Sequence, residues 1–82
     1  MYQDKEPMKE KPVEVNGIVT QILGKWLFEV TVDNARNHKI KAKAAEQFIK
    51  NDVKLRIGDL VRMEIDPYEL GKGLIIARLE SS

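Results

Sequence analysis

Apolar residues fall at every second position through most of this chain, and one short stretch breaks the rule. Trp26, Phe28, Val30 and Val32 alternate with Leu27, Glu29 and Thr31, and Val61, Met63 and Ile65 alternate with Arg62 and Glu64. A period of two sends successive side chains to opposite faces of an extended strand, so each run predicts a strand with one buried face. His38, Ile40 and Ala42 alternate in the same way with Lys39, Lys41 and Lys43, which gives a third strand carrying its lysines on one side. Val13 and Val15 open another strand, but Gly17 interrupts it and the parity blurs through Ile18, Val19, Ile22 and Leu23. A strand whose inward face changes at a glycine is expected to bend there.

The connections are legible in the same terms. Residues 33–37, Asp-Asn-Ala-Arg-Asn, supply turn formers, and Asn37 tolerates a left-handed conformation. Residues 44–51, Ala-Ala-Glu-Gln-Phe-Ile-Lys-Asn, are the one helical candidate, two turns at most. Leu55 and Ile57 resume the alternation before the Gly58-Asp59 turn, and residues 74–79 read as the last strand. Residues 66–73, Asp-Pro-Tyr-Glu-Leu-Gly-Lys-Gly, read as an eight-residue loop between the last two strands. Three strands, a short helix and two strands, with a bent first strand, predict an all-β fold. The expected architecture is the five-stranded Greek-key OB-fold barrel, with its short helix between strands three and four. A small SH3-like barrel is the competitor, but it does not ordinarily carry a helix at that point.

Eighty-two residues make one domain. A chain of this size buries roughly 60–65% of its unfolded surface, enough for one core. The expected organisation is a flexible charged tail over residues 1–12, a barrel over 13–79 and a short polar end over 80–82. The chain has no cysteine, which fits a reducing compartment and removes thiolate metal sites. No apolar run approaches the ~18–20 residues that span a bilayer, and the N-terminus is charged. A soluble, cytoplasmic protein without membrane contact is expected.

The formal charge of +1 hides an uneven distribution. Residues 36–56 hold seven Lys and Arg against Glu46 and Asp52, whereas the segments before and after each carry a net charge of −2. A local excess of this kind attracts polyanions even when the whole molecule is nearly neutral. Lys39, Lys41 and Lys43 repeat along their strand at roughly 6.6–7 Å, close to the phosphate spacing of a nucleic-acid strand. Lys50, Lys54 and Arg56 extend the positive zone. A solvated lysine face is the plainer reading of the same residues. Strand two offers Leu27, Glu29 and Thr31 outward and keeps Trp26 and Phe28 for the core, so an aromatic stacking platform is missing there. Contact with phosphates or with RNA shape is therefore expected, rather than base-by-base stacking.

Catalytic groups are few. His38 is the single histidine, with no cysteine or second histidine to join it in a triad or a zinc site. Asp59 and Asp66 sit where turns need them, and Gly71-Lys72-Gly73 lacks the spacing of a phosphate-binding P-loop. No enzyme activity, metal or cofactor is expected.

The stretch from Gly58 to Arg78 resembles the C-terminal third of bacterial and plastid translation initiation factor one. Gly58-Asp59, Pro67-Tyr68-Glu69-Leu70, Gly71, Lys72-Gly73 and Arg78 match that family's pattern. Residues 15–23 around Gly17 resemble its bent first strand, and residues 27–34 its second. The resemblance spans about residues 13–78. It implies an RNA-binding protein, monomeric, that occupies the decoding A site of the small ribosomal subunit and acts with other initiation factors. Lys50, Lys54, Lys72 and Arg78 match basic positions of the family, and together with Lys39, Lys41, Lys43 and Arg56 from the charge pattern they are the expected RNA contacts. In the 66–73 loop, Tyr68 and Leu70 are expected to fold inward as a plug over the barrel end, with Lys72 exposed.

The chain also departs from the family. The basic segment between strands three and four is replaced by Ala45-Glu46-Gln47-Phe48-Ile49, with only Lys50 and Asn51 matching, and the usual Arg before the last strand is Leu74. The basic C-terminal end has become Leu79-Glu80-Ser81-Ser82, and the 33–37 turn is about two residues longer. Two further readings stay open: a stand-alone RNA-binding or RNA-chaperone barrel, and a protein-interaction barrel using Phe48 and Ile49. Burial of Phe48 would count against the second.

Overall fold

The computed structural model describes residues 13–32 and 38–81, and only the backbone of Leu70. The expectations for the 1–12 tail, the 33–37 turn, the Leu70 side chain and Ser82 lie outside the described residues. Five strands form a closed barrel: β1 (Val13–Ile22), β2 (Leu27–Val32), β3 (Lys39–Ala44), β4 (Leu60–Asp66) and β5 (Glu69–Glu80). They run in the order β1-β2-β3-β5-β4, with β4 returning to β1. Helix α1 (Glu46–Lys50) lies between β3 and β4. All neighbours are antiparallel except β3 and β5, which are parallel. This is the OB-fold.

The barrel closes because β1 serves two partners. Val13 to Ile18 pair with β4, and Gly17 to Ile22 pair with β2. The overlap falls at Gly17 and Ile18, and at Gly17 a Cβ would sit 2.6 Å from Val30 Cγ1 and 2.7 Å from the Thr31 carbonyl oxygen. The second of these neighbours is backbone and cannot step aside, so the corner requires glycine. A bulge between Val19 and Gln21 then re-aims the strand.

Phe28, Val30, Ile40, Ala42, Val61 and Met63 are all buried, as their parity requires. Full burial of one such large side chain stabilises the fold by about 1.5–3 kcal/mol. Trp26 precedes β2 and is half-buried against this core. Helix α1 spans five residues, buries Phe48 and leaves Ile49 exposed. It ends in a Schellman arrangement: the Val53 N–H donates to the Phe48 carbonyl (2.9 Å) and the Asp52 N–H to that of Ile49 (3.2 Å). Asp52 takes the left-handed position, with φ 51°. The Gln47 side-chain amide donates to the Ile76 carbonyl (2.8 Å), which ties the helix to β5.

Two expectations need correction. Residues 55–57 form no strand; Leu55 is buried, Ile57 is exposed, and the segment packs as a turn against β1 through the Gly58 N–H to the Val19 carbonyl (2.8 Å). The eight-residue loop is also absent. Asp66 pairs with Glu69, so the reversal is a tight turn at Pro67-Tyr68 and β5 begins five residues earlier than expected, at Glu69. Gly71 and Gly73, which looked like loop residues, lie in the strand. At Gly73 a Cβ would meet Ile40 Cγ2 at 3.3 Å and the Glu64 carbonyl oxygen at 3.4 Å, so the missing side chain lets β5 lie close against its neighbours.

Candidate nucleic-acid interface

Strand parity places Lys39, Lys41 and Lys43 on the outer face of β3, all three exposed, while Ile40, Ala42 and Ala44 face the core. Lys72 joins them through the parallel ladder. It is the register partner of Lys41, as Gly73 is of Ala42. Neighbouring strands lie roughly 4.8 Å apart, so two ammonium stems rise side by side. Like charges directly opposite are unfavourable without an anion near them. The expectation that Lys72 stands on a loop is thus corrected: it belongs to a strand, and the strand puts it beside Lys41.

The face carries its own carboxylates. Glu29 on β2 is the register partner of Lys41 and lies 4.0 Å from the Lys39 ammonium, and the Thr20 hydroxyl also reaches it (3.2 Å). Glu69 pairs with Lys72 at 3.6 Å. The Lys72–Glu69 pair is largely solvated, whereas in the Lys39–Glu29 pair the carboxylate is partly buried and the lysine exposed; solvated pairs contribute about 0–1 kcal/mol. Lys41 and Lys43 form no ion pair among the described residues. Between the strands runs an open groove of about 490 Å³, edged by Lys39, Lys41, Lys72, Glu29 and Glu69. A slot of about 200 Å³ shares Lys41 and Lys72 with this groove and is lined as well by Leu27, Lys43 and Gly73.

The remaining expected contacts lie elsewhere. Lys54, Arg56 and Arg78 surround a second pocket of about 220 Å³ together with Asp59. Asp59 is 1% exposed. Its Oδ2 accepts the Arg56 backbone N–H (2.9 Å) and lies 3.9 Å from the Arg78 guanidinium, which also donates to the Lys54 carbonyl (3.5 Å). Lys54 pairs with Asp52 at 3.6 Å. Lys50 occupies the last turn of α1 and lines none of these three cavities. The eight expected residues therefore divide into a four-lysine face, a three-residue pocket and one isolated lysine. His38 is exposed, and its carbonyl accepts the Val32 N–H (3.0 Å). Among the described residues no group of three or more His, Cys, Asp or Glu could hold a metal ion.

Tyr68 is the site's main departure from expectation. It is 76% exposed and plugs nothing. Asp66 Oδ1 accepts its backbone N–H (2.8 Å), which holds the turn and leaves the ring outside. A reading of Asp-Pro-Tyr-Glu as a four-residue turn, with Pro67 second, would have placed the ring at a hairpin tip.

Comparison with known proteins fits this geometry. The profile of the family described as "Translation initiation factor 1A / IF-1" matches residues 3–82. Translation initiation factor IF-1 2 of Polynucleobacter asymbioticus is 39% identical over 70 residues, covering 85% of this chain and 79% of that protein. Translation initiation factor IF-1 of Rhodospirillum rubrum is 37% identical over 70 residues, covering 85% and 72%. Among solved structures, the solution structure of the translation initiation factor IF-1 from the Wolbachia endosymbiont of Brugia malayi superposes with a TM-score of 0.67 at 31% identity, covering 95% of this chain and 90% of that one. YjeQ from Thermotoga maritima gives a TM-score of 0.66 at 25% identity over 83% of this chain, which corresponds to 23% of YjeQ. The chain belongs to the translation initiation factor 1A / IF-1 family.

Proposed function

We propose that this protein is an initiation factor that binds small-subunit ribosomal RNA at the decoding A site, through the β3–β5 lysine face and the Lys54–Arg56–Arg78 pocket. One observation carries the reading. The parallel pairing of Lys41 with Lys72 brings a lysine from an acidic segment, 31 residues further along the chain, beside the lysines of β3 at one groove. Such a groove suits a phosphate backbone, whose charges are spaced like the lysines along β3. Lys50 would act as an additional, separate contact. The factor would work as a monomer in the cytoplasm, together with other initiation factors and without a cofactor. Burial of Phe48 removes half of the apolar pair on which a protein-interaction barrel would depend.

Binding to purified small ribosomal subunits across a salt series tests this, with an unstructured RNA as competitor. Saturable one-to-one binding that the competitor does not displace is expected. With about five phosphate contacts, log affinity should fall against log salt with a slope of roughly −3 to −4. Equal affinity for subunit and competitor would make the protein a general RNA-binding barrel instead, and absence of binding to either would overturn the RNA reading.

A further inference from the structure

The backbone around Tyr68 fixes the tip of the β4–β5 turn, and the ring it carries is left in solvent. Asp66 and Glu69 close the ladder beneath it, Pro67 fixes φ at the turn entry, and the Asp66 carboxylate accepts the Tyr68 N–H. The ring is 76% exposed although the turn it stands on is anchored at both ends. It also stands at a particular place: one residue before Glu69, which edges the lysine groove, and four before Lys72, which pairs with Lys41. The β4–β5 turn of an OB-fold lies at the end of the face on which such barrels take oligonucleotides.

We propose that Tyr68 is a stacking platform for one unpaired RNA base, at the end of the groove whose lysines take the adjoining phosphates. This rests on the RNA-binding reading above. A phenol ring suits the role because stacking needs a flat apolar face that tolerates water at its rim. Glu29, Leu27 and Thr31 give the β2 part of the face no such surface, so the ring at the turn would supply what the strand lacks.

The experiment compares two ligands of equal charge, an oligoadenosine of roughly twelve nucleotides and an abasic oligomer with the same number of phosphates. Wild type should prefer the oligoadenosine. Tyr68→Ala should weaken binding to it by on the order of tenfold or more, with the salt slope and the affinity for the abasic oligomer unchanged. Tyr68→Phe should keep the preference, because the face of the ring survives. If Tyr68→Ala binds oligoadenosine as wild type does, the stacking role is overturned while the lysine groove stands. Equal weakening toward both oligomers overturns it too, because the ring would then act without a base. If wild type at low salt binds neither oligomer, this inference falls, whereas the groove reading is decided separately by whether the same protein binds small ribosomal subunits.

Discussion

The β3–β5 face and the pocket around Asp59 hold the same kinds of side chain, yet they position them by opposite means. On the face, strand register alone sets Lys39, Lys41, Lys43 and Lys72; of their carboxylate neighbours, Glu69 is solvated and Glu29 partly buried. In the pocket, a buried carboxylate organises the backbone of Arg56 and faces the guanidinium of Arg78, which reaches across to the Lys54 carbonyl. The face can lose a charge without the fold noticing, because no buried polar group depends on it. The pocket cannot, because loss of Asp59 would leave a donor unsatisfied. Two basic regions that look equivalent as sequence thus differ in what a mutation should damage first.

The most severe test removes the buried carboxylate. Asp59→Ala should destabilise the protein by about 1–3 kcal/mol, the cost of orphaning the Arg56 N–H. For a domain of this size that is a fall of roughly 4–8 °C in melting temperature per kcal/mol. A thermal unfolding curve unchanged from wild type would erase the distinction between the two regions.

Next comes the paired-lysine variant Lys41→Ala with Lys72→Ala. It should weaken RNA binding by on the order of tenfold at about 0.1 M salt and reduce the salt slope by roughly 1.4–1.8, while stability moves by less than about 0.5 kcal/mol. Relief of the like-charge contact could only favour the fold. Substantial unfolding of this variant would show that the face is structural. Intact binding would show that the groove is not the RNA site.

The smallest effect sharpens the contrast from the other side. Asp52 holds a left-handed position that glycine adopts freely, and its ion pair with Lys54 is exposed. Relief of the left-handed strain outweighs the extra chain entropy that glycine loses on folding. Asp52→Gly should therefore stabilise the protein by about 0.5–1 kcal/mol, measured by denaturant unfolding. Retained RNA affinity in that variant would mean that Lys54 works without its carboxylate partner, whereas a loss would mean that Asp52 positions it.

Much of this molecule was readable because the code for a strand is local. Whether Ile40 faces in and Lys41 faces out depends on residues two places away, and Gly17 announces its own bend; these determined the barrel, the core and the lysine stripe. The family pattern between Gly58 and Arg78 was equally visible as a string. The rest depends on pairing between distant segments. Nothing near Lys72 says that it will lie beside Lys41, because that neighbour is chosen when β5 crosses the barrel to pair in parallel with β3. Pairing of β5 with β4 drew residues 69–73 out of an apparent loop into a strand, and with Asp66 bonded to the turn it left Tyr68 in solvent rather than over the barrel end. Sequence alone determined which residues are basic and which way each strand faces. Tertiary structure decided which of them meet, because backbone hydrogen bonds between strands carry no memory of how far apart in the chain their residues began.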